Sequence, residues 1–256
     1  MFVIVVGMKN LFTATFALIL CGLSVKAADL SDLTYTNNGI FVAITGCNKE
    51  ASGELVIPAQ IDGKPVWFIR NNAFERCEQL TSVTISEGIR DIGDSAFRDC
   101  KSFETANLPN TITVIKSGTF MNCESLIDID IPESVTAIGS SAFDNCDSIV
   151  SIKIPKYVTD IGAFAFRTCD SLWNVIIGES VKFIDRGAFD CPNLKSIIFE
   201  GNAPQLIGGG HFVPVQESAI IISSTATGFG DTGRFAGKPL IVVSLTDSDG
   251  DGVPDD

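Results

Sequence analysis

Histidine is almost missing from this chain: His211 is the only one in 256 residues, beside two Trp, two Tyr and three Met. A Ser-His or Cys-His relay therefore has a single residue to draw on. That residue occupies the small-residue position before Phe212 in the repeat described below, where it reads as a filler. There is no phosphate-binding P-loop, no H-E-x-x-H zinc motif and no N-x-[ST] sequon. Gly228-Phe229-Gly230-Asp231-Thr232-Gly233 fits G-x-G-x-x-G, but its Gly/Thr-rich flanks open no helix and no βαβ unit surrounds it, so it reads as a capping loop. Basic residues are scarce as well. Eighteen Lys and Arg against 31 Asp and Glu leave a net charge of −13, which phosphate backbones and anionic headgroups would repel. Neither nucleic acid nor a membrane surface is an expected partner.

Phenylalanine, in contrast, is abundant and regular. Phe74, Phe97, Phe120, Phe143, Phe166 and Phe189 recur every 23 residues, and Phe212 falls on the next interval. A fixed period of this length predicts a solenoid, in which each coil is too small to bury its own apolar face and stacks on its neighbours. Other columns share the register. Cys77, Cys100, Cys123, Cys146 and Cys169 follow the Phe by three residues, with Cys191 one position early. Val83, Ala106, Ile129, Ile152, Val175 and Ile197 form one apolar column, and Ile92, Ile115, Ile138, Ile161 and Ile184 form another. Alternation in Ser151-Ile152-Lys153-Ile154 predicts a short strand buried on one face, and Pro155 ends it because proline has no N–H to donate. Gly93, Gly139 and Gly162 suit a tight turn before the next segment. Ser140 to Cys146 begins with capping residues and predicts about one helical turn carrying the Phe inward. One coil therefore reads as strand, turn, second extended arc and short helical turn.

The stretch IPESVTAIGSSAFDNCDSIVSIKIP, with its IP, V-T-x-I-G, A-F-x-x-C and L-x-x-I elements, resembles the leucine-rich repeat of BspA-like bacterial surface proteins. The likeness spans roughly residues 33–243, with local departures at Thr119, Lys116, Asp185 and the last coil, which lacks the Cys. It implies a mainly β leucine-rich repeat solenoid of 23-residue coils, displayed at the cell surface and engaged in adhesion. The organisation expected is a signal peptide over 1–27, N-terminal strands and cap over 28–65, repeats over 66–222, a capping strand over 223–245 and an acidic motif over 246–256.

Two ends and a set of thiols complete the expectations. Leu11 to Val25 is an apolar run after Lys9 and before a small-residue site at Ala27-Ala28, the pattern of a secretory signal starting at Met8. An uncleaved anchor is the rival; a lipoprotein signal at Cys21 fits less well because Leu20 is large. Cleavage removes Lys9 and Lys26 and takes the charge from −13 to −15. The cysteines in register would face one another along a line, which suits a stack of small buried thiols better than disulfides or a tetrahedral zinc site. Cys47 stands outside the column without an evident partner. At the other end Asp247, Asp249 and Asp251 alternate, Gly252 follows, and Asp255 comes later. This resembles the first half of an EF-hand or thrombospondin type 3 calcium loop without its closing acid. The readings are a weak Ca2+ site or an acidic tail, and a stop inside such a loop also fits a fragment of a longer protein.

The residues that the repeat frame does not explain are the candidates for function. Outward strand positions carry Ile127, Val150, Trp173 and Ile176 where other coils place Thr, Asn, Asp or Lys. Exposed apolar surface of this kind marks a contact site, and Trp is enriched at binding hot spots. The alternative is that a loop or the C-terminal cap covers these side chains. The expected function is a secreted or surface protein, not an enzyme, that binds a protein or cell-surface ligand. The rivals are a structural envelope spacer and a targeting module of a larger protein.

Overall fold

The computed structural model describes residues 27–208, 219–223, 226–229, 234–235 and 238–243. The leader up to residue 26, His211, Phe212 and the acidic motif from 246 lie outside them. The described chain winds as a stack of short parallel strands on two arcs of each coil, with a continuous apolar interior between them. One arc carries two ladders of longer strands: Gly53–Ile57, Leu80–Ile85, Thr105–Asn107 and Asp128–Ile129, then Ser151–Ile154, Asn174–Ile177, Ser196–Phe199, Ala219–Ser223 and Lys238–Val243. The other arc stacks two-residue strands from Val114–Ile115 to Gln205–Leu206. Neighbours pair in register: Ile152 faces Val175, and Val175 faces Ile197.

The apolar columns are the core. Val83, Ala106, Ile129, Ile152, Val175 and Ile197 are all buried, as are Ile92, Ile115, Ile138, Ile161 and Ile184 on the second arc. Between the arcs runs the phenylalanine column, every ring from Phe74 to Phe189 fully buried. Successive rings lie 4.8, 5.5, 5.4, 5.0 and 5.2 Å apart and within 11° of parallel. The ends are closed differently. Leu33–Asn37 pairs antiparallel with Val42–Cys47, which in turn runs parallel to Lys64–Ile69. At the far end Phe229 is buried against Phe199, rings 5.2 Å apart.

The helical turn expected around each Phe is not a helix. The only helical element among the described residues is a 3-10 turn at Leu30–Asp32, held by a capping box at Asp29. Around each Phe the backbone alternates handedness instead, with Asn72, Ser95 and Ser141 two residues before the Phe and Arg76, Asp99 and Asn145 two residues after it at φ between 54° and 62°. Alternation directs every second N–H outward along the stack. Asn72, Phe74 and Arg76 donate to the carbonyls of Asp94, Ala96 and Arg98 in the following coil, at 3.0, 2.7 and 2.8 Å. The N–H groups between them, on Ala73, Glu75 and Cys77, close local bonds to residues three back. A helix would have kept all of these donors within its own coil; here they bind coil to coil.

The glycines also have a different cause from the turn inferred above. Gly93, Gly139 and Gly162 do not need positive φ; a Cβ on Gly139 would stand 2.6 Å from the Ser117 nitrogen and 2.7 Å from the Lys116 carbonyl carbon. The previous coil's backbone passes too close for a side chain. Where Thr119 replaces the buried Ala of its column, its hydroxyl donates to the Lys116 carbonyl at 2.8 Å, so the extra polar group is satisfied.

Candidate functional site

Three of the four outward apolar residues lie in one line. The Trp173 N–H donates to the Val150 carbonyl at 3.0 Å and the Ile127 N–H to that of Glu104, so these residues occupy equivalent places at the entry to successive strands. Their side chains remain 56% (Ile127), 48% (Val150) and 55% (Trp173) exposed. Ile176 sits on the same face of the strand Asn174–Ile177, but half-buried, paired with Lys153 on one side and Ile198 on the other. Ile198 pairs onward with Ile221, and both are also half-buried. The structure therefore gives two lines: a more exposed one through Ile127, Val150 and Trp173, and a flatter isoleucine line starting at Ile176. Charge is interleaved with these groups: Lys153, the register partner of Ile176, reaches across the intervening strand to Glu200 at 3.7 Å.

A second surface escaped the sequence reading. On the opposite arc an open groove of about 880 Å³ runs across successive coils. Tyr157 and Phe183, 52% and 36% exposed, stand among Thr136, Thr159, Glu179 and Lys182. The Lys156 ammonium lies 4.7 Å from the Tyr157 ring centre. Its pKa is raised, first by that tyrosine and further by Glu133 and Glu179. The signal was available: Tyr157 stands where neighbouring coils have Ser134 and Ser180, and Phe183 where they have Ala137 and Asp160. Both departures lie on the second arc, away from the long strands.

The cysteine column is chemically quiet along most of its length. The thiols of Cys100, Cys123, Cys146, Cys169 and Cys191 donate to the carbonyl of the Phe one coil back, at 3.1, 3.2, 3.1, 3.1 and 2.8 Å. Burial pushes the thiols of Cys100, Cys123 and Cys146 well up, which keeps them protonated and unreactive near neutral pH. Asp144 is the most deeply buried charge among the described residues, its side chain 1% exposed. Arg167 reaches it with two bonds, Nε at 3.1 Å and Nη2 at 2.6 Å, and Thr168 Oγ1 adds a third at 3.1 Å. The Arg167 and Arg186 guanidinium groups lie 4.8 and 5.0 Å from the Phe164 ring centre, on a residue held at φ 60°. These groups are tied to one another in pairs that build the coil, and none forms a nucleophile with a base.

The calcium-like carboxylates Asp247, Asp249, Asp251 and Asp255 lie outside the described residues. Among the described residues no helix is long and apolar enough to cross a membrane.

Comparison with known proteins agrees with this architecture. The model of the family described as BspA type leucine rich repeat region matches in six copies, over residues 57–156 and 113–236. Among solved structures, a leucine rich repeat protein of T. pallidum is similar at 32% identity and a TM-score of 0.67, over 75% of this chain and 91% of that one. A leucine-rich repeat protein of Bacteroides ovatus shares the fold at 20% identity and a TM-score of 0.53, over 83% of this chain and 75% of that one. No curated protein matches.

Proposed function

Since the chain belongs to the BspA type leucine-rich repeat family, we propose that it is an exported surface protein that binds a protein ligand without catalysing a reaction, through the strand face centred on Trp173 and Ile176. The observation that carries this reading is the exposure of Ile127, Val150 and Trp173 on consecutive coils, while the aligned Val83, Ala106, Ile129, Ile152, Val175 and Ile197 column is buried. A solenoid holds such a line rigid at fixed spacing, so docking a partner costs little ordering of this side. The ring of Trp173 and the flanking aliphatic groups supply apolar area, and the Lys153–Glu200 ion pair beside Ile176 supplies polar contacts. Export is supported by the leader pattern before Ala27 and by the surface role implied by the family.

Trp173→Ala is expected to weaken binding by about tenfold or more, as hot-spot truncations do, while the melting temperature stays within a degree or two of wild type. The measurement is the Kd of both forms, by biolayer interferometry, for a partner recovered on the mature chain from surface-protein extracts. Tyr157→Ala serves as the control. If it abolishes binding and Trp173→Ala does not, the groove on the opposite arc is the binding face.

For the acidic segment we propose weak calcium binding by Asp247, Asp249 and Asp251, with Asp255 nearby. Alternating carboxylates of this kind belong with the weak extracellular class, with Kd on the order of 10⁻⁴–10⁻³ M or poorer. Titration calorimetry should show saturable heat in the millimolar range that Asp249→Asn removes. No heat at tens of millimolar calcium leaves only an acidic tail.

A further inference from the structure

The groove on the second arc differs from the rest of that arc in what it leaves uncovered. Its floor is the ladder of Ala137–Ile138, Asp160–Ile161 and Phe183–Ile184, each strand paired on both sides. The Thr136 and Thr159 hydroxyls donate to the Thr113 and Thr136 carbonyls at 3.1 and 3.2 Å, so this backbone is closed. Over the floor stand Tyr157, on the coil of Asp160, and Phe183, on the next coil. The outward aromatics at the other end of the arc are covered by the protein itself. Phe41 stacks on Trp67 at 5.0 Å, and the Arg90 and Arg70 guanidinium groups lie 4.0 and 5.3 Å from the Trp67 and Phe68 ring centres. Phe183 is exposed, with no ring or cation against it among the described residues.

We propose that this groove binds a neutral carbohydrate chain, at a site separate from the strand face at Trp173. Charge is the first reason. The whole chain carries −13, yet here Glu133 and Glu179 are matched by Lys182 and by Lys156 beside Tyr157. A locally balanced surface offers no net attraction to a polyanion or a polycation, and suits a ligand without charge. Hydrogen bonding is the second. The side chains of Glu133, Glu179, Lys182 and Gln205 make no hydrogen bond or ion pair among the described residues. They place acceptors and donors side by side, and a sugar hydroxyl is both. The rings are the third. The face of an aromatic ring is negative, so it attracts the positively polarised C–H groups on the flat side of a sugar.

Shape selects a chain over a small molecule. Small ligands are held in pockets that bury most of their surface, whereas this groove is open and crosses successive coils. Consecutive sugar units would lie along the stack, one against Tyr157 and another against Phe183. A peptide that docks by strand addition needs an unpaired edge, which the floor does not offer. The two rings are also set before the ligand arrives. Their coils are tied by the Lys182 N–H to the Thr159 carbonyl and the Gln205 N–H to the Lys182 carbonyl, at 2.8 and 2.7 Å. A platform fixed in this way costs little to order on binding.

The test applies the full mature chain to a printed array of neutral, sialylated and sulfated glycans. The neutral oligosaccharide with the strongest signal is then titrated by calorimetry. The expected result is retention on neutral glycans, with a Kd that Tyr157→Ala and Phe183→Ala each raise about tenfold or more, the effect of losing a hot-spot aromatic. Tyr157→Phe keeps the ring and should bind as wild type does. An array without signal on any neutral glycan overturns the proposal. So does binding confined to sialylated or sulfated glycans, which would trace it to the lysines alone. A Kd that Trp173→Ala raises and neither groove variant changes would put the sugar on the strand face and overturn it as well. Should Phe183→Ala fail to fold, the comparison of Tyr157→Ala with Tyr157→Phe decides.

Discussion

Phe143→Ala is expected to lower the unfolding free energy by about 3–5 kcal/mol, the usual range for emptying an aromatic site in a core. The ring is fully buried, stacked at 5.4 Å on Phe120 and 5.0 Å on Phe166. Its cavity has little means of closing. The spacing of the coils on either side is fixed by backbone bonds, Phe120 N–H to Ala142 and Phe143 N–H to Ala165, at 2.8 and 2.7 Å. Neighbouring rings cannot slide into the gap without breaking those bonds, and a void that cannot relax costs most. Urea denaturation reads the effect as a lower midpoint at nearly constant slope. A midpoint equal to that of wild type would disprove the idea that the ring column sets the stability of the stack.

Replacing Arg167 with Met is expected to cost about 2–3 kcal/mol. The change removes two of the three bonds to Asp144, whose side chain is 1% exposed, and leaves that carboxylate with Thr168 alone. Breaking a buried pair from one side costs more, about 3–5 kcal/mol, when both partners are desolvated. Here the arginine side chain is 39% exposed, so solvent screening reduces the loss. The stem of Met retains part of the packing over Phe164. Asp144→Asn in the same background should recover part of the stability, because the uncompensated charge is then gone. Thermal melts of the two single variants and the double variant separate the pair energy from the cost of the orphaned charge. If the double variant is as unstable as the sum of the singles, the ion pair is not what Arg167 contributes.

What was legible in the sequence is what repeats. A residue that must be buried once per coil appears once per coil, so Phe143, Cys146, Ile152 and Ile161 declared their places by spacing alone. The outward set Ile127, Val150 and Trp173 was legible by the same logic inverted, as departures from the frame. Hidden features were those whose cause lies in the adjacent coil rather than in the local sequence. Ser140 to Cys146 looks like a capped helical turn, yet Ser141 and Asn145 adopt φ of 54° and 62° because the next coil offers carbonyls to their N–H groups. Gly139 looks like a turn glycine, yet it yields to the backbone of Ser117. The groove at Tyr157 and Phe183 is written in the columns of the second arc, where an aromatic stands in place of Ser134, Ser180, Ala137 and Asp160.

The coil-to-coil bonds around each phenylalanine have a mechanical consequence. They lie along the stack axis, one coil after another, so a force applied to the two ends of the chain does not load them together. It peels the terminal coil, whose donors or acceptors face only one neighbour, and then presents the next coil in the same condition. Each step frees 23 residues, or about 75–80 Å of extended chain. A protein tethered at one end and gripped by its partner would therefore lengthen in regular increments, shedding load coil by coil while the remaining stack stays ordered.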